Sequence, residues 1–414
     1  MPAPVRILKM SSKRFPFLLS QMRMLTQLNG RSWWLGILVW MAAFSLVESA
    51  SSRAAQAALE LRVAIADGVS QIAVGSSTKA IVRDSNGRPL GEIAPMNAFI
   101  AQPKQGSVSL DRWQSGQLWV EPTGGGYVYI GDRWYRGRTA VVPSKSGLTA
   151  VNYVDLEHYL YSVLGGEMNG NWPQEALKAQ AVAARSYALY HRQKANNGIY
   201  DVVDTTASQV YRGIRDESTG TQAAVNATAE QVLISGGQIV EAVFHSSAGG
   251  CTENSENVWL NPVPYLKSVR ENFTEVSPVA QWSLDVSRSE LSKRISGVGN
   301  VVSFQPVDMT PCGRIKTMQV VGDRGSKKIS GEALQRALNL RSTLFEIVPQ
   351  SVGEANKSKA QASPTTFRVA GRGFGHGIGL SQWGAYNLAQ GGNNYQQILK
   401  LYYQNTDLAK IQVK

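Results

Sequence analysis

The sequence predicts an α+β protein, with a β-rich N-terminal part followed by a region that mixes helices and strands and forms a cleft. Two patterns support this class. Between residues 59 and 142, short β-branched and aromatic runs such as 126–130 alternate with turn signals. After residue 142, apolar residues recur at helical spacing while further strand runs persist. We therefore divide the chain into a β-rich subdomain at 59–142 and a mixed core at 143–414.

Two helices are expected at the start of this core, with an acid between them. Apolar residues at 156–164 follow the i, i+3, i+4, i+7 spacing of a helix that buries one face. We expect the glycine pair at 165–166 to end it, which puts Glu167 in a turn. A second helix begins at Pro173, where the missing N–H breaks no hydrogen bond, and ends near 196–198.

Later elements follow from turn and capping signals. A glycine pair predicts a hairpin within 231–244. A helix is expected at 331–340 with Ser330 as its N-cap, and another at about 381–389. The polar segment 350–364 is expected to be a mobile surface loop.

The first 48 residues are typical of an export segment. Six basic residues and no acid occur in 1–31, and 33–47 carries no charge. That apolar run is shorter than the roughly 20 residues that span a bilayer, so a secretory signal is expected. An uncleaved membrane anchor at 33–47 is the alternative, and 49–58 is interpreted as a linker. The chain is accordingly expected in the periplasm or cell wall.

Charge favours an anionic partner. The chain carries 42 Lys+Arg and 30 Asp+Glu, a net charge of +12. Without the first 48 residues, which hold 6 basic and 1 acidic residue, the net charge is +7. Export argues against nucleic acid, and no zinc finger, RNP-like motif or basic helix is present in the sequence. Wall polymers or anionic lipid suit this charge better, with membrane contact only through an uncleaved N-terminal segment.

The two cysteines, Cys251 and Cys312, both follow the export segment. An oxidising compartment permits them to form a disulfide. Zinc held by His245 with Cys251 is the alternative. The chain has four histidines, and His158 and His191 are expected on helix surfaces, so a multi-histidine metal site has few ligands to use. We predict no metal and no cofactor.

The segment 165–173 contains the first candidate for chemistry. Glu167 lies beside Met168 and Trp172, which can partly desolvate its carboxyl. Desolvation raises a carboxyl pKa and favours a role as general acid. The alternative is an ordinary, exposed turn glutamate.

The second candidate segment, 244–254, contains His245 and Ser246 at the end of a strand. The small, glycine-rich turn that follows offers hydroxyl and backbone N–H groups to a sugar or carboxylate. The alternative is a histidine that only caps a tight turn.

The third candidate segment, 371–385, has glycine at every second position from Gly371 to Gly379. In a strand this pattern leaves one face bare for a ligand, with Arg372 and His376 on the opposite face. Dense strand packing without a ligand is the alternative.

Taken together and in this order, the three segments resemble the SpoIID/LytB family, which is named for stage II sporulation protein D and the amidase enhancer. The similarity covers roughly residues 60–407 and includes 152–160 and 208–213. The resemblance implies a SpoIID-like catalytic domain that acts as a peptidoglycan lytic transglycosylase. The family's catalytic glutamate falls on Glu167, although Asn169 stands here where the family motif has proline. Some relatives bind zinc through two cysteines and two histidines, but here only Cys251 lies near His245.

We therefore predict that Glu167 acts as general acid and then base, leaving 1,6-anhydro muramyl ends on glycan strands. Peptidoglycan glycan strands are the expected partner. A non-catalytic glycan-binding module that stimulates a cell-wall amidase is the main alternative, and a metal-dependent wall hydrolase is the third. The candidate substrate-binding residues are Arg185, Gln209, Tyr211, His245, Ser246, His376 and Gln382.

Overall fold

The computed structural model describes residues 5–9, 59–195, 198–259, 261–272, 276–350 and 365–413. The expected signal or anchor at 33–47, the linker at 49–58 and nearly all of the loop at 350–364 lie outside the described residues. Within them, strands and helices alternate and the N-terminal part is rich in strands. The predicted α+β class is confirmed.

Two sheets form the N-terminal part, and they are antiparallel except where β14 pairs in parallel with β2. Its strands are β2 (Glu60–Val69), β3 (Ile72–Ser76), β4 (Ala80–Arg83), β5 (Pro89–Ile93), β6 (Ala98–Lys104), β7 (Ser107–Leu110), β8 (Trp113–Ser115), β9 (Leu118–Pro122), β10 (Val128–Ile130), β11 (Arg133–Tyr135), β12 (Arg138–Ser144) and β13 (Gly147–Asp155); β1 (Val5–Lys9) precedes them and β14 (Val202–Val203) joins them later. One sheet has the order β14-β2-β13-β12-β9-β4-β5 and the other β11-β10-β3-β6-β7-β8. Alternating residues of both sheets enter one apolar core, which continues into the helical region.

The first helix is longer than the sequence predicted. Helix α1 (Leu156–Glu167) is capped by Asp155, whose side chain accepts hydrogen bonds from two backbone N–H groups of the first turn. The expected stop at 165–166 is wrong, because the glycines serve packing. A Cβ on Gly165 would lie 1.7 Å from the carbonyl oxygen of Asp216. Glu167 is therefore the last helical residue, and the turn follows it.

The second helix forms the centre of the mixed core. Helix α2 (Gln174–Lys194) starts after Pro173 as expected, and its middle is fully buried. It packs against helices from three later parts of the chain. These are α3 (Thr219–Ala227), α7 (Gln382–Gln390) and α8 (Tyr395–Tyr402). A 3-10 turn (Gly213–Asp216) precedes α3 in the chain, and the short helix α4 (Ser255–Val258) follows it.

The glycine hairpin exists, but its second strand is short. Strand β15 (Gln231–Ser235) pairs with β16 (Gln238–Ile239), and the chain then leaves the ladder. Strand β17 (Phe244–His245) instead pairs in parallel with β24 (Leu380–Ser381), which joins the second and third motifs. The last strand, β25 (Asp407–Val413), pairs with β15 and with β1, a strand not expected in the basic N-terminal segment.

A second module lies between the second and third motifs and has an apolar core of its own. Helix α6 confirms Ser330 as an N-cap, because its hydroxyl accepts a hydrogen bond from the N–H of Ala333. The strands form two three-stranded sheets, β18-β23-β22 and β19-β20-β21. The elements are β18 (Gln281–Ser287), α5 (Arg288–Arg294), β19 (Val301–Met309), β20 (Ile315–Gly322), β21 (Gly325–Ser330), α6 (Gly331–Leu338), β22 (Phe345–Gln350) and β23 (Thr366–Arg372).

A disulfide between Cys251 and Cys312 joins this second module to the mixed core. Cys251 follows the second motif, and Cys312 lies in the turn between β19 and β20. No helix among the described residues is both long and apolar enough to cross a membrane.

Reduction of this disulfide should destabilise the protein. The bridge closes a loop of 61 residues, which corresponds to about 4 kcal/mol in the chain-entropy view of the unfolded state. Thermal melting with and without reductant tests this. The double variant Cys251→Ser/Cys312→Ser is the control, and its melting temperature should be low and indifferent to reductant. Two free thiols in mass mapping of the unreduced protein would contradict the pairing.

Candidate functional site

The carboxyl group of Glu167 lies at the centre of the candidate site. Its Oε1 accepts a hydrogen bond of 2.9 Å from the backbone N–H of Val210, and its Oε2 lies 3.5 Å from Nε2 of Gln382. Burial raises the pKa of this carboxyl, and the two hydrogen bonds and the charge of Arg212 offset only part of that effect. The group therefore retains a proton to higher pH than an exposed glutamate.

Because Gly166 has no side chain, the segment that contains Val210 can approach Glu167 closely. A Cβ on Gly166 would lie 2.8 Å from the carbonyl oxygen of Val210, so only glycine leaves room for the 208–213 segment. Gln382 is the first residue of α7, and the hydroxyl of Ser381 caps that helix by accepting from the N–H of Gly384. The residues of three distant segments thus meet at one carboxyl.

Three aromatic side chains form a cluster from the two segments that carry Glu167 and Gln382. The ring centroids of Trp172 and Trp383 are 4.5 Å apart, and Tyr386 lies 5.1 and 5.2 Å from them. All three are partly exposed. Trp172 follows Glu167 in the same turn, Trp383 follows Gln382, and the N–H of Trp383 donates to the carbonyl of Ser246. None of these rings was predicted from the sequence to bind a ligand, although Trp172 and Trp383 lie within the first and third motifs.

The two motif histidines lie together, with ring centroids 5.2 Å apart. His376 donates from Nε2 to the carbonyl of Phe244 at 2.9 Å, and its Nδ1 accepts from the N–H of Ile378 at 3.0 Å. His245 contacts the carbonyl of Ile378 through Nδ1 at 3.1 Å, and its Nε2 has no partner among the described residues. Burial, and after it the charge of Arg314, lowers the pKa of His376 to about 4. Burial also holds the pKa of His245 well below its usual value. Both rings are neutral at neutral pH.

The alternating glycines form a loop, so the predicted strand with a bare face is wrong. Gly373, Gly375, Gly377 and Gly379 all have positive φ, which a β-strand does not adopt. The atoms that lie close to these glycines belong to other segments of the protein. A Cβ on Gly377 would lie 2.2 Å from Nη2 of Arg314.

Arg314 holds this loop against the second motif. It lies directly before β20 of the second module and is 1% exposed. Its guanidinium donates to the carbonyls of Gly375 at 3.1 Å and Ala248 at 3.2 Å. Burial lowers the pKa of Arg314 to about 10, and the nearby Glu253 carboxylate opposes that shift. The charged side chain of Arg314 thus joins the second motif to the glycine loop by hydrogen bonds.

Three predicted substrate-binding residues lie in the core and not on a cleft surface. Arg185 is fully buried and pairs with Glu157 at 2.6 Å. Gln209 accepts from the hydroxyl of Tyr159 and donates to a carbonyl of α2. Tyr211 donates to Oδ1 of Asn152 at 2.8 Å. Of the other four candidates, Gln382 lies 3.5 Å from the Glu167 carboxyl. His245 pairs with Ser381, the carbonyl of Ser246 accepts from the N–H of Trp383, and His376 lies against His245.

The zinc alternative does not fit the donor atoms present. Zinc takes cysteine as a thiolate, and the sulfurs of Cys251 and Cys312 are joined to each other. Both ring nitrogens of His376 already have backbone partners.

Comparison with known proteins agrees with this arrangement of motifs. The family model described as a stage II sporulation protein matches residues 144–234. Stage II sporulation protein D of Bacillus subtilis (strain 168) is 30% identical over 285 residues, which cover 63% of this chain and 76% of that protein. The chain belongs to the stage II sporulation protein D family. The second module of this family member matches a domain of unknown function (DUF8618) at residues 279–379.

Two further proteins are similar in sequence to this SpoIID-family protein. An uncharacterized protein of Brachyspira hyodysenteriae is 33% identical over 290 residues, covering 70% of this chain and 76% of its own length. The amidase enhancer of Bacillus subtilis (strain 168) is 31% identical over 296 residues, which cover 60% of this chain and 40% of that longer protein.

The variant Glu167→Gln should be more stable than the unmodified protein at neutral pH. Because the pKa of Glu167 is raised on folding, ionisation opposes folding, and the unmodified protein loses stability as pH rises through the folded pKa. The stability difference should therefore grow from pH 4 to pH 8 in thermal melts.

Glu175→Gln is the matched control. Burial raises the pKa of Glu175, but the hydrogen bonds from Lys178 and from the N–H of Tyr395 outweigh it and leave the pKa lowered. This variant should be destabilised at neutral pH, with the difference fading as pH falls. A Glu167→Gln variant that behaves in the same way would contradict the raised pKa.

Proposed function

We propose that this protein is an exported lytic transglycosylase that cleaves peptidoglycan glycan strands and leaves 1,6-anhydro muramyl ends. The observation that carries the proposal is the largely buried carboxyl of Glu167, whose pKa is raised. A backbone N–H and a side-chain amide lie beside this carboxyl. Family membership supports a role at the cell wall. Export through the N-terminal segment, with or without a retained anchor at 33–47, is part of the proposal.

A single carboxyl is enough for this reaction. Protonated Glu167 donates its proton to the glycosidic oxygen as the bond from that oxygen to C1 of muramic acid breaks. The resulting carboxylate then takes the proton of the 6-hydroxyl of the same sugar, and O6 bonds to C1. The acid is regenerated and no water is consumed. Because the nucleophile belongs to the substrate, its attack avoids much of the entropy cost of a bimolecular step.

The hydrogen-bond partners of Glu167 suit both halves of this cycle. The Val210 N–H stabilises the carboxylate after proton transfer, while burial favours the acid before it. Among the described residues, no carboxyl is a hydrogen-bond partner of Glu167. Hydrolases that use water commonly place a second carboxylate roughly 5 to 9.5 Å from the acid, beyond hydrogen-bond distance, so the products of the reaction decide between the two routes.

The partly exposed aromatic cluster supplies a surface for the sugar rings. Pyranose rings present C–H groups on one face, and the rings of Trp172 and Trp383 offer large apolar area at little entropic cost. We assign Ser246, His245 and Gln382 to polar contacts with the strand, and His376, whose ring nitrogens both bond the backbone, to positioning of the glycine loop. Arg185, Gln209 and Tyr211 act by positioning α1 and the 208–213 segment.

The similarity to the amidase enhancer favours a second candidate function. In that case the same surface binds glycan without cutting it and stimulates a cell-wall amidase, which becomes the protein partner. No cofactor is needed for either function.

The variant Glu167→Gln should abolish cleavage of purified glycan strands while leaving strand binding intact. Loss of general acid and base catalysis corresponds to a fall of at least about a hundredfold in rate. Mass spectrometry of the products decides the reaction type, because an anhydro end is lighter by one water, about 18 Da, than a reducing end.

Reducing ends would mean hydrolysis, and Asp204 and Glu256 are the acids to replace next. If the unmodified protein does not cleave the strands but makes the amidase faster, the result would support the second candidate function instead.

The variant Trp383→Ala should weaken binding of glycan strands about tenfold, or about 1.4 kcal/mol, because it removes a central ring of the aromatic cluster. Binding is measured by calorimetry in the non-cleaving Glu167→Gln background. Trp119→Ala is the control, since Trp119 packs on Tyr153 in the N-terminal sheet at 4.6 Å. Equal losses in both variants would remove the aromatic cluster from the proposed site.

A further inference from the structure

Arg212 is an exposed cation near the Glu167 carboxyl that takes no part in the proton transfers proposed for Glu167. It lies two residues after Val210, whose N–H donates to Oε1 of Glu167 at 2.9 Å. It directly precedes the 3-10 turn Gly213–Asp216, and its side chain is 46% exposed. The segment that supplies the backbone donor to the carboxyl therefore also carries a cation that water can reach.

The 3-10 turn lies directly against the last turn of α1. A Cβ on Gly165 would lie 1.7 Å from the carbonyl oxygen of Asp216, and a Cβ on Gly166 would lie 3.2 Å from its Oδ2. The Asp216 carboxylate is thus beside the residue that precedes Glu167. Because Nη1 of Arg212 lies 3.4 Å from that same Oδ2, the guanidinium is at the same end of α1 as the Glu167 carboxyl.

The charge of Arg212 acts on the Glu167 carboxyl. Burial is the largest influence and raises the pKa of Glu167, while the two hydrogen bonds and then Arg212 lower it. The other titratable groups that interact with this carboxyl are phenols of α1 and α2. Burial raises the pKa of Tyr187 to about 12 and that of Tyr159 well above its usual value, so both are neutral at neutral pH.

Asp216 neutralises Arg212 only in part. Their contact is a single one of 3.4 Å, and it involves a half-exposed guanidinium. The buried Arg185 shows the contrast, because it makes two hydrogen bonds, of 2.8 and 2.6 Å, to the Glu157 carboxylate. A single long contact at the surface is a weak ion pair, so the charge of Arg212 remains available to Glu167.

The proposed reaction requires the Glu167 carboxyl to change its charge twice inside a largely buried site. Burial favours the neutral acid, and it opposes the carboxylate that exists between the loss of one proton and the gain of the next. A close, buried cation would hold Glu167 permanently as a carboxylate and remove the acid. A half-exposed cation at the edge of the site stabilises the carboxylate less and leaves the acid accessible.

We propose that Arg212 assists the reaction through Glu167, by stabilising the carboxylate that forms when the proton leaves, and that Asp216 limits the strength of this effect. Arg212 is thus a positioning residue and does not hold the strand. The inference rests on the proposed function for the identity of the reaction, whereas the interaction between Arg212 and Glu167 can be measured without it.

An NMR titration of isotope-labelled glutamate side chains in the full chain measures this interaction directly. The signal of Glu167 is identified by its loss in Glu167→Gln. Arg212→Gln should move the titration of Glu167 to higher pH, because the carboxylate loses a nearby cation. Asp216→Asn should move it to lower pH, because Arg212 is then unopposed. Arg212→Lys keeps the charge and should titrate close to the parent.

The pH dependence of strand cleavage should follow these titrations. Glu167 must be protonated to start the reaction, so the rate falls as pH rises through its pKa. This fall should occur at higher pH in Arg212→Gln and at lower pH in Asp216→Asn. In Arg212→Gln, kcat should decrease by less than the roughly hundredfold expected for Glu167→Gln, while KM stays unchanged. Arg212→Lys should retain most of the activity.

Arg215→Gln is the matched control. Arg215 is an exposed cation of the same 3-10 turn, and it is not among the groups that shift the pKa of Glu167. Its replacement changes the net charge of the protein as Arg212→Gln does. Both the titration of Glu167 and the pH dependence of cleavage should stay as in the parent.

Three results would overturn the proposal. The first is an unchanged titration of Glu167 in Arg212→Gln, and the second is an equal shift in Arg212→Gln and Arg215→Gln. The third is weaker strand binding when Arg212→Gln is added to the non-cleaving Glu167→Gln variant, because Arg212 would then hold the strand itself.

The two conclusions fail separately. If the unmodified protein does not cleave strands, the proposed reaction fails, and the NMR titration still tests the action of Arg212 on Glu167. If the protein cleaves strands and Arg212→Gln keeps the pH dependence and kcat of the parent, only the role of Arg212 fails.

Discussion

The desolvated carboxyl of Glu167 is the constraint on which the rest of the site depends. A carboxyl can remain largely buried and still ionise only if donors are fixed beside it, and here they are a backbone N–H and a side-chain amide. Those donors come from Val210 and from the start of α7. The glycines at 165 and 166, the cap at Ser381 and the central position of α2 all serve to bring them there.

A second constraint joins the added module to this site. Arg314 extends from the module and donates to carbonyls of both histidine segments, while the Cys251–Cys312 disulfide ties the same turn to the core. The glycine loop is therefore held from the module side. Burial, with a smaller contribution from the same guanidinium, lowers the pKa of His245 and of His376, so both rings are neutral where the two segments meet.

Local sequence signals predicted elements where local physics decides them. The helix over 156–164, the start after Pro173, the cap at Ser330 and the helix after Ser381 all follow from periodicity and capping. The two predictions that rested on glycine patterns, the helix stop at 165–166 and the strand over 371–379, were wrong. Glycine has two structural roles that the sequence alone does not distinguish. It permits positive φ, as at Gly377, and it permits close approach within regular structure, as at Gly165.

The sequence by itself determined the α+β class and the family and singled out Glu167 as the candidate acid, because each depends on short patterns or on motifs in a fixed order. Only the tertiary structure decided which motif side chains lie near that carboxyl and which are buried in the core. Arg185, Gln209 and Tyr211 are polar and lie in or near the motifs, yet their side chains are buried and bonded within the core. The aromatic cluster and the hydrogen bonds of Arg314 could not be predicted from the sequence, because each joins residues far apart in the chain whose meeting depends on packing.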